Sequence, residues 1–225
     1  MPSSKASKRP VFVIMAKRPA VGRTKTRLCP PLEPAEAAAL YEAMLRDTIE
    51  SIAQLDGVQL AVAVTPPEAI EDFRLMGPPD AVLLPVAGAD IGDCLHQVLG
   101  RLLADGRPKA IAIDSDSPTL PVDCLRQAID RLDEADVVLG PCEDGGYYLI
   151  GLKRPQPELF RDIAWSAAQV TAQTLARIEA LGLSVALLPA WYDVDVAVDL
   201  ERLRGEMVSL PDGALRHTRR FLQSL

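Results

Sequence analysis

Short apolar runs alternate with amphipathic stretches along most of this chain, and that alternation restricts the fold more than any other feature of the sequence. Residues 11–15, 58–64, 81–84, 110–113, 136–139, 147–152 and 183–188 read as strands. Residues 35–54, 91–103, 122–132 and 167–181 carry apolar side chains at helical spacing, and shorter helical stretches follow at 68–75 and 197–203. Pro34 stands at the expected first position of the first long helix, and Gly182 at the end of the 167–181 helix. Strands that return through helices build a largely parallel sheet covered on both faces, an α/β sandwich of three layers. With 225 residues, one sizeable core is expected. It falls in a single domain over residues 11–204, between a flexible, mildly basic tail at 1–10 and a C-terminal appendage at 205–225. His217, Arg219 and Arg220 of that appendage read as solvated.

The central run, Ala110 to Ile113, is followed at once by Asp114-Ser-Asp116, and Pro118 and Pro121 stop the strand. Two carboxylates at i and i+2 on a strand-end loop turn toward one divalent ion when the loop bends between them. The carboxyl ends of strands are where open α/β sheets bind ligands. The alternative is that Asp114 and Asp116 cap the next helix or close Asx turns.

After the first strand, Lys17, Arg18, Arg23, Lys25 and Arg27 crowd eleven residues of a chain whose formal charge is -7. Arginine forks onto phosphate oxygens and lysine adds a mobile charge, so this loop reads as a nucleotide-phosphate clamp through Lys17, Arg23, Lys25 and Arg27. It has neither a Walker ending nor a dinucleotide glycine turn. A merely solvated basic loop is the competing reading, with Thr24 and Thr26 satisfying local backbone.

Three further stretches are candidates. Gly140 to Tyr148 lies between two strands. Its Asp-Gly is a hairpin signal, while Gly145 and Gly146 allow close approach to a ligand, and Glu143 or Asp144 is placed to act as base toward an acceptor. Tyr147 and Tyr148 then face opposite sides of the sheet. Trp191 to Asp195 places Asp193 and Asp195 at i and i+2 before a helix, either to cap it or to complete a metal shell begun at Asp116. Asp90, with Gly92, precedes a helix as cap or cleft residue, and Trp165-Ser166 precedes another, with Ser166 its cap and Trp165 a core, lid or substrate contact.

The acidic balance argues against nucleic acid as a partner. Cys29, Cys94, Cys124 and Cys142 are scattered and only two histidines occur, so a zinc site of the usual kind is not expected. Residues 1–10 lack an apolar core and no run reaches membrane-spanning length, which makes the cytoplasm the expected compartment.

Arg23-Thr-Lys-Thr-Arg-Leu28, Asp90-Ile-Gly92, Ser115-Asp-Ser-Pro-Thr-Leu-Pro121, Gly140 to Gly151, Trp165-Ser166 and Asp193-Val-Asp195 occur in the order found in a bacterial family. The chain resembles DUF2064, a GT-A-like group within the nucleotide-diphospho-sugar transferase superfamily, over residues 11–204. Some members of that group are similar to phospholactate guanylyltransferases. The resemblance implies a GT-A-like αβα sandwich with a mostly parallel, mixed sheet. It implies Mg²⁺ or Mn²⁺ at Asp116, with Asp114, Asp193 and Asp195 around it. It implies a nucleotide or nucleotide-sugar donor on Lys17, Arg23, Lys25, Arg27, Asp90 and Gly92. A small-molecule acceptor is implied beside Glu143, Asp144, Gly145, Gly146, Tyr147, Trp165 and Ser166. Two departures stand out: Asp114 replaces a common glycine, and Cys94 stands where the family carries arginine. The leading expectation is a metal-dependent glycosyltransferase. The alternatives are a guanylyltransferase-like nucleotidyltransferase that releases pyrophosphate, and a nucleotide-binding protein without turnover. Self-association is left open.

Overall fold

Alternate residues along the first strand, β1 (Val11–Lys17), enter different cores. Phe12, Ile14 and Ala16 join one, and Val11 and Val13 the other, because successive side chains of a strand point to opposite faces. Both faces are therefore covered. In the computed structural model, which describes residues 8–225, β1 is followed by α1 (Pro34–Ala53), β2 (Gln59–Thr65), α2 (Ile70–Phe73), β3 (Val82–Pro85), α3 (Ile91–Ala104) and β4 (Ala110–Ile113). Then come α4 (Val122–Glu134), β5 (Val137–Pro141), β6 (Tyr147–Leu152), α5 (Val170–Ala180), β7 (Val185–Leu187), α6 (Ala197–Ser209) and α7 (Arg216–Gln223). Residues 1–7 of the expected tail lie outside the described residues, and the carbonyl of Pro10 already accepts from the Gln59 N–H at 2.8 Å.

The seven strands run in the order β3-β2-β1-β4-β6-β5-β7. All neighbours are parallel except β6, which is antiparallel to both β4 and β5. One core contains buried residues of α1, α4 and α6, such as Met44, Leu125 and Leu203. The other contains residues of α3 and α5, such as Leu99 and Ile178. The architecture is the expected three-layer, GT-A-like sandwich with a mixed, largely parallel sheet. Strand order is what positions the site. The chain leaves β1 toward one edge and returns to β4 on the other side, so the loops after two adjacent parallel strands open together at a switch point.

Local chemistry sets most element ends. Pro34 begins α1, and Glu36 accepts from the Glu33 N–H at 2.8 Å. Gly182, at φ 64°, ends α5, with the Leu183 N–H reaching back to the Ile178 carbonyl at 3.1 Å. The start of α5 corrects the sequence reading. Ser166 is left-handed (φ 66°) and lies in a turn, so the helix begins at Val170 and Ser166 does not cap it.

Residues 205–225 contain the last turns of α6 and all of α7. Asp47 of α1 is buried and accepts from the His217 and Thr218 N–H groups at 3.1 and 2.8 Å, which satisfies the N-terminal end of α7. Glu50 pairs with Arg216 and with His217 Nε2. Arg219 Nη2 donates to the Met207 carbonyl at 3.1 Å, tying α7 to α6. Asp47→Ala strands two N–H groups and is expected to lower stability by about 2 kcal/mol. Urea unfolding measures this, and a change below about 0.5 kcal/mol would show that α7 is not held this way.

Candidate functional site

The loop after β1 folds back by local bonds. The Arg23 and Thr24 N–H groups donate to the Ala20 carbonyl, and Thr24 Oγ1 accepts from the Ala20 N–H at 3.0 Å. Thr24 is therefore spent on backbone. Lys25 follows in the left-handed region (φ 51°), at the head of a short 3-10 turn, Thr26–Leu28. Its Nζ lies 2.6 Å from Asp116 Oδ2 and 3.3 Å from Asp195 Oδ1, with the side chain only 7 % exposed. Arg27, 70 % exposed, takes the other oxygen of Asp195.

Asp195 and Asp193 arrive from the far side of the sheet because residues 191–195 are stitched between two loops. The Trp191 N–H donates to the Pro141 carbonyl and the Glu143 N–H to the Trp191 carbonyl, while the Val194 N–H donates to the Asp116 carbonyl at 2.9 Å. The cap of α6 is Asp199, which accepts from the Asp195 and Val196 N–H groups at 3.0 and 2.8 Å. Asp195 is thereby freed for Lys25 and Arg27. Asp193 sits with Asp144 and Cys142, their ligand atoms within 4.8 Å of one another.

The carboxylates perturb one another. Burial, then the charge of Asp116, raises the Asp114 pKa well above the usual range, despite a 2.6 Å hydrogen bond from Ser117 Oγ. Asp114 Oδ1 is buried with no partner among the described residues. Burial and then Asp116 push Asp193 up to about 6. For Lys25, burial alone lowers the pKa, but Asp116, helped by Asp195 and Asp193, outweighs it and holds the ammonium firmly charged. Burial and then the charge of Asp114 raise the Cys142 thiol, so it stays protonated. An orphaned carboxylate oxygen amid mutually repelling carboxylates fits a hard divalent cation such as Mg²⁺ or Mn²⁺. The other acid-rich cluster, Asp47, Glu50 and His217, does not fit one as well, because its carboxylates are committed to α7.

A cleft of about 340 Å³ lies here. Lys17, Arg23 and Lys25 line it from the β1 loop, Asp114, Asp116 and Asp195 oppose them, and Met15, Thr24, Tyr41, Ile91 and Ser115 complete it. An apolar cavity of about 80 Å³ shares Met15, Ile91 and Asp114 with it and adds Leu95 and Tyr147. A larger cavity, about 430 Å³ beside α1 and residues 210–215, has only Asp47 and Glu50 as charged lining. Tyr41 was not legible as a site residue: it sits mid-helix in α1 among core positions. Its hydroxyl accepts from the Lys17 N–H and pairs with Ser115 Oγ, each at 2.9 Å, and burial followed by Asp116 pushes its pKa up to about 12.

The remaining candidates divide. Lys17 and Arg23 have no carboxylate partner among the described residues, and both line the cleft. Asp90 caps α3, accepting from the Asp93 N–H at 2.9 Å. Gly92 admits Trp165: a Cβ there would lie 2.3 Å from the indole, whose ring meets Tyr147 edge-on at 6.3 Å. Tyr148 turns to the opposite core. Asp144 Oδ1 accepts from the Gly146 N–H at 2.8 Å, and Glu143 pairs with Arg202 at 2.8 Å. Gly145 is left-handed (φ 94°) and packed on the Ala168 carbonyl. Ser166 is exposed. Cys94 is buried in the core on the α3 side.

No helix of the described residues is long and apolar enough to cross a membrane. The chain is 27 % identical over 206 residues to 2-phospho-L-lactate guanylyltransferase of Methanothermobacter thermautotrophicus, covering 89 % of this chain and 85 % of that one. It resembles a solved structure from Desulfovibrio desulfuricans G20, provisionally named a nucleotide-diphospho-sugar transferase, with TM-score 0.87, 29 % identity and coverage of 96 % and 95 %. The 4-diphosphocytidyl-2C-methyl-D-erythritol synthase of Anaerococcus prevotii shares the fold at 8 % identity, with TM-score 0.60 over 89 % and 96 % of the two chains. Residues 48–167 match the model of the family described as "uncharacterized protein conserved in bacteria (DUF2064)". The chain belongs to that family, within the GT-A-like nucleotide-diphospho-sugar transferase superfamily.

Proposed function

We propose that this protein is a nucleotidyltransferase: a phosphate oxygen of a small acceptor attacks the α-phosphorus of a nucleoside triphosphate, and pyrophosphate leaves. The alignment with a guanylyltransferase carries the reading, and the state of the two candidate bases agrees with it. Asp144 is engaged by its own turn and Glu143 by Arg202. Sugar transfer to a hydroxyl needs a group to take its proton. A phosphate nucleophile is already anionic and needs none. The guanylyltransferase relative, aligned over most of the chain, supports the same class and favours a guanine nucleotide with a phosphorylated hydroxy acid. Glycosyl transfer, the leading expectation from sequence, becomes the second reading. The description of the Desulfovibrio relative favours it.

In this reading Lys17 and Arg23 receive the triphosphate, with Lys25 beside them. Asp116 and Asp193, backed by Asp114, are the residues that would hold Mg²⁺ or Mn²⁺. Such an ion, when bound, neutralises phosphate charge. Asp195, which also pairs with Lys25 and Arg27, would join Asp116 and Asp193 as a further carboxylate ligand. Gly145, Gly146, Tyr147 and Trp165 shape the acceptor side.

The test is turnover of GTP with Mg²⁺ and phosphorylated hydroxy acids. Pyrophosphate that forms only with acceptor present supports the proposal. Release of nucleoside diphosphate from nucleotide-sugars, with GTP inert, would move the assignment to glycosyl transfer. Arg23→Ala is expected to weaken GTP binding about tenfold or more by calorimetry, and parental affinity would remove Arg23 from the phosphate site.

A further inference from the structure

The single ammonium of Lys25 is bound to the two carboxylates, Asp116 and Asp195, that the sequence offers as ligands for a divalent ion. From this we infer that Lys25 and the ion compete for the Asp116–Asp195 pair, and that nucleotide phosphate opens the pair to the ion by drawing Lys25 away. The inference rests on the proposed reading of the cleft as a nucleotide-phosphate site.

The contact is a built one. Lys25 Nζ approaches both carboxylates closely, its side chain is almost wholly buried, and Arg27 fixes the second oxygen of Asp195. An ion held by the same carboxylates would bring two further positive charges beside a buried ammonium. That repulsion is poorly screened away from water. Lys25 also lines the same cleft as Lys17 and Arg23. Its long, flexible stem lets the ammonium exchange a carboxylate partner for a phosphate held by those two residues. Moving Lys25 to phosphate therefore does two things at once: it adds a cation to the nucleotide and uncovers two anionic ligands. Linkage then makes the effect reciprocal, with nucleotide raising metal affinity and metal raising nucleotide affinity by the same factor.

The experiment is a titration of the full chain with Mn²⁺ alone, followed by electron paramagnetic resonance, on the parent, Lys25→Met and Lys25→Arg. Removing the competing charge is expected to tighten Mn²⁺ binding about tenfold in Lys25→Met, while Lys25→Arg stays near the parent. Metal-free GTP affinity is expected to fall in Lys25→Met. A purely structural role would weaken both ligands together, so opposite signs identify competition. Should Lys25→Met fail to fold, Lys25→Gln gives the same neutral position with a polar side chain. Equal or weaker Mn²⁺ binding in the neutral variant overturns the inference, and so does an absence of Mn²⁺ binding in both parent and variant. The Mn²⁺ titration contains no nucleotide, so failure of nucleotidyl transfer in the turnover assay leaves its result standing. Conversely, observed pyrophosphate release does not protect the inference from an unchanged Mn²⁺ affinity.

Discussion

Asp116→Asn is expected to lower pyrophosphate release by about 10²- to 10³-fold while leaving the fold in place. The carboxylate links Lys25 to the neighbouring carboxylates of the cleft. It binds Lys25 at 2.6 Å, and its charge is the largest single-residue influence raising the pKa of both Asp114 and Asp193. Removing one partner of a buried ion pair costs about 3–5 kcal/mol when nothing replaces it. Here Asp195 keeps a contact to Lys25 at 3.3 Å, and the neighbouring carboxylates lose a repulsive charge. The two effects oppose, so a net stability change within about 2 kcal/mol is expected. The metal-dependent part of nucleotide affinity should vanish, as measured by calorimetry with and without Mg²⁺. Activity within tenfold of the parent would show that the metal and phosphate chemistry lies elsewhere.

Gly145→Ala is expected to destabilise the protein by about 3 kcal/mol and to disable the acceptor side. Gly145 has φ 94°, and an added Cβ would lie 1.9 Å from the Ala168 carbonyl oxygen and 2.6 Å from its carbon. Both are backbone atoms, so no side-chain rotation relieves the clash. The Thr171 N–H bond to the Gly145 carbonyl, 2.9 Å, joins the hairpin to α5 and would be strained with it. Gly182→Ala is the control. Its φ is 64° but nothing lies within 4 Å of the added carbon, so backbone strain alone, about 1 kcal/mol, is expected. Urea unfolding of both variants separates the terms. Equal costs would show that close packing against residue 168 does not matter.

The alternation of apolar runs and amphipathic stretches made the sheet and its two covered faces readable, because burial on both faces leaves that pattern in any such chain. Asp114, Asp116, Asp193 and Asp195 were readable as candidates because each pair follows or precedes a regular element. Their partnership was not readable. Lys25 meets Asp116 and Asp195 across 91 and 170 positions of sequence, and only the strand order brings those loops together. Tyr41 was hidden because its ring packs as an ordinary α1 core residue while its hydroxyl alone reaches the cleft. Ser166 failed as a helix cap because a left-handed turn intervenes, and a serine before a helical pattern does not reveal that turn. The hold of Asp47 on α7 also depends on distant segments, which local periodicity cannot register.

Phosphorus NMR of the protein with GTP, Mg²⁺ and a phosphorylated hydroxy acid tests the central claim most directly. The account predicts a pyrophosphate signal growing in step with a new phosphoanhydride formed between the acceptor phosphate and the α-phosphorus. An unchanged GTP spectrum, beside a nucleotide-sugar converted to nucleoside diphosphate under the same conditions, would contradict it.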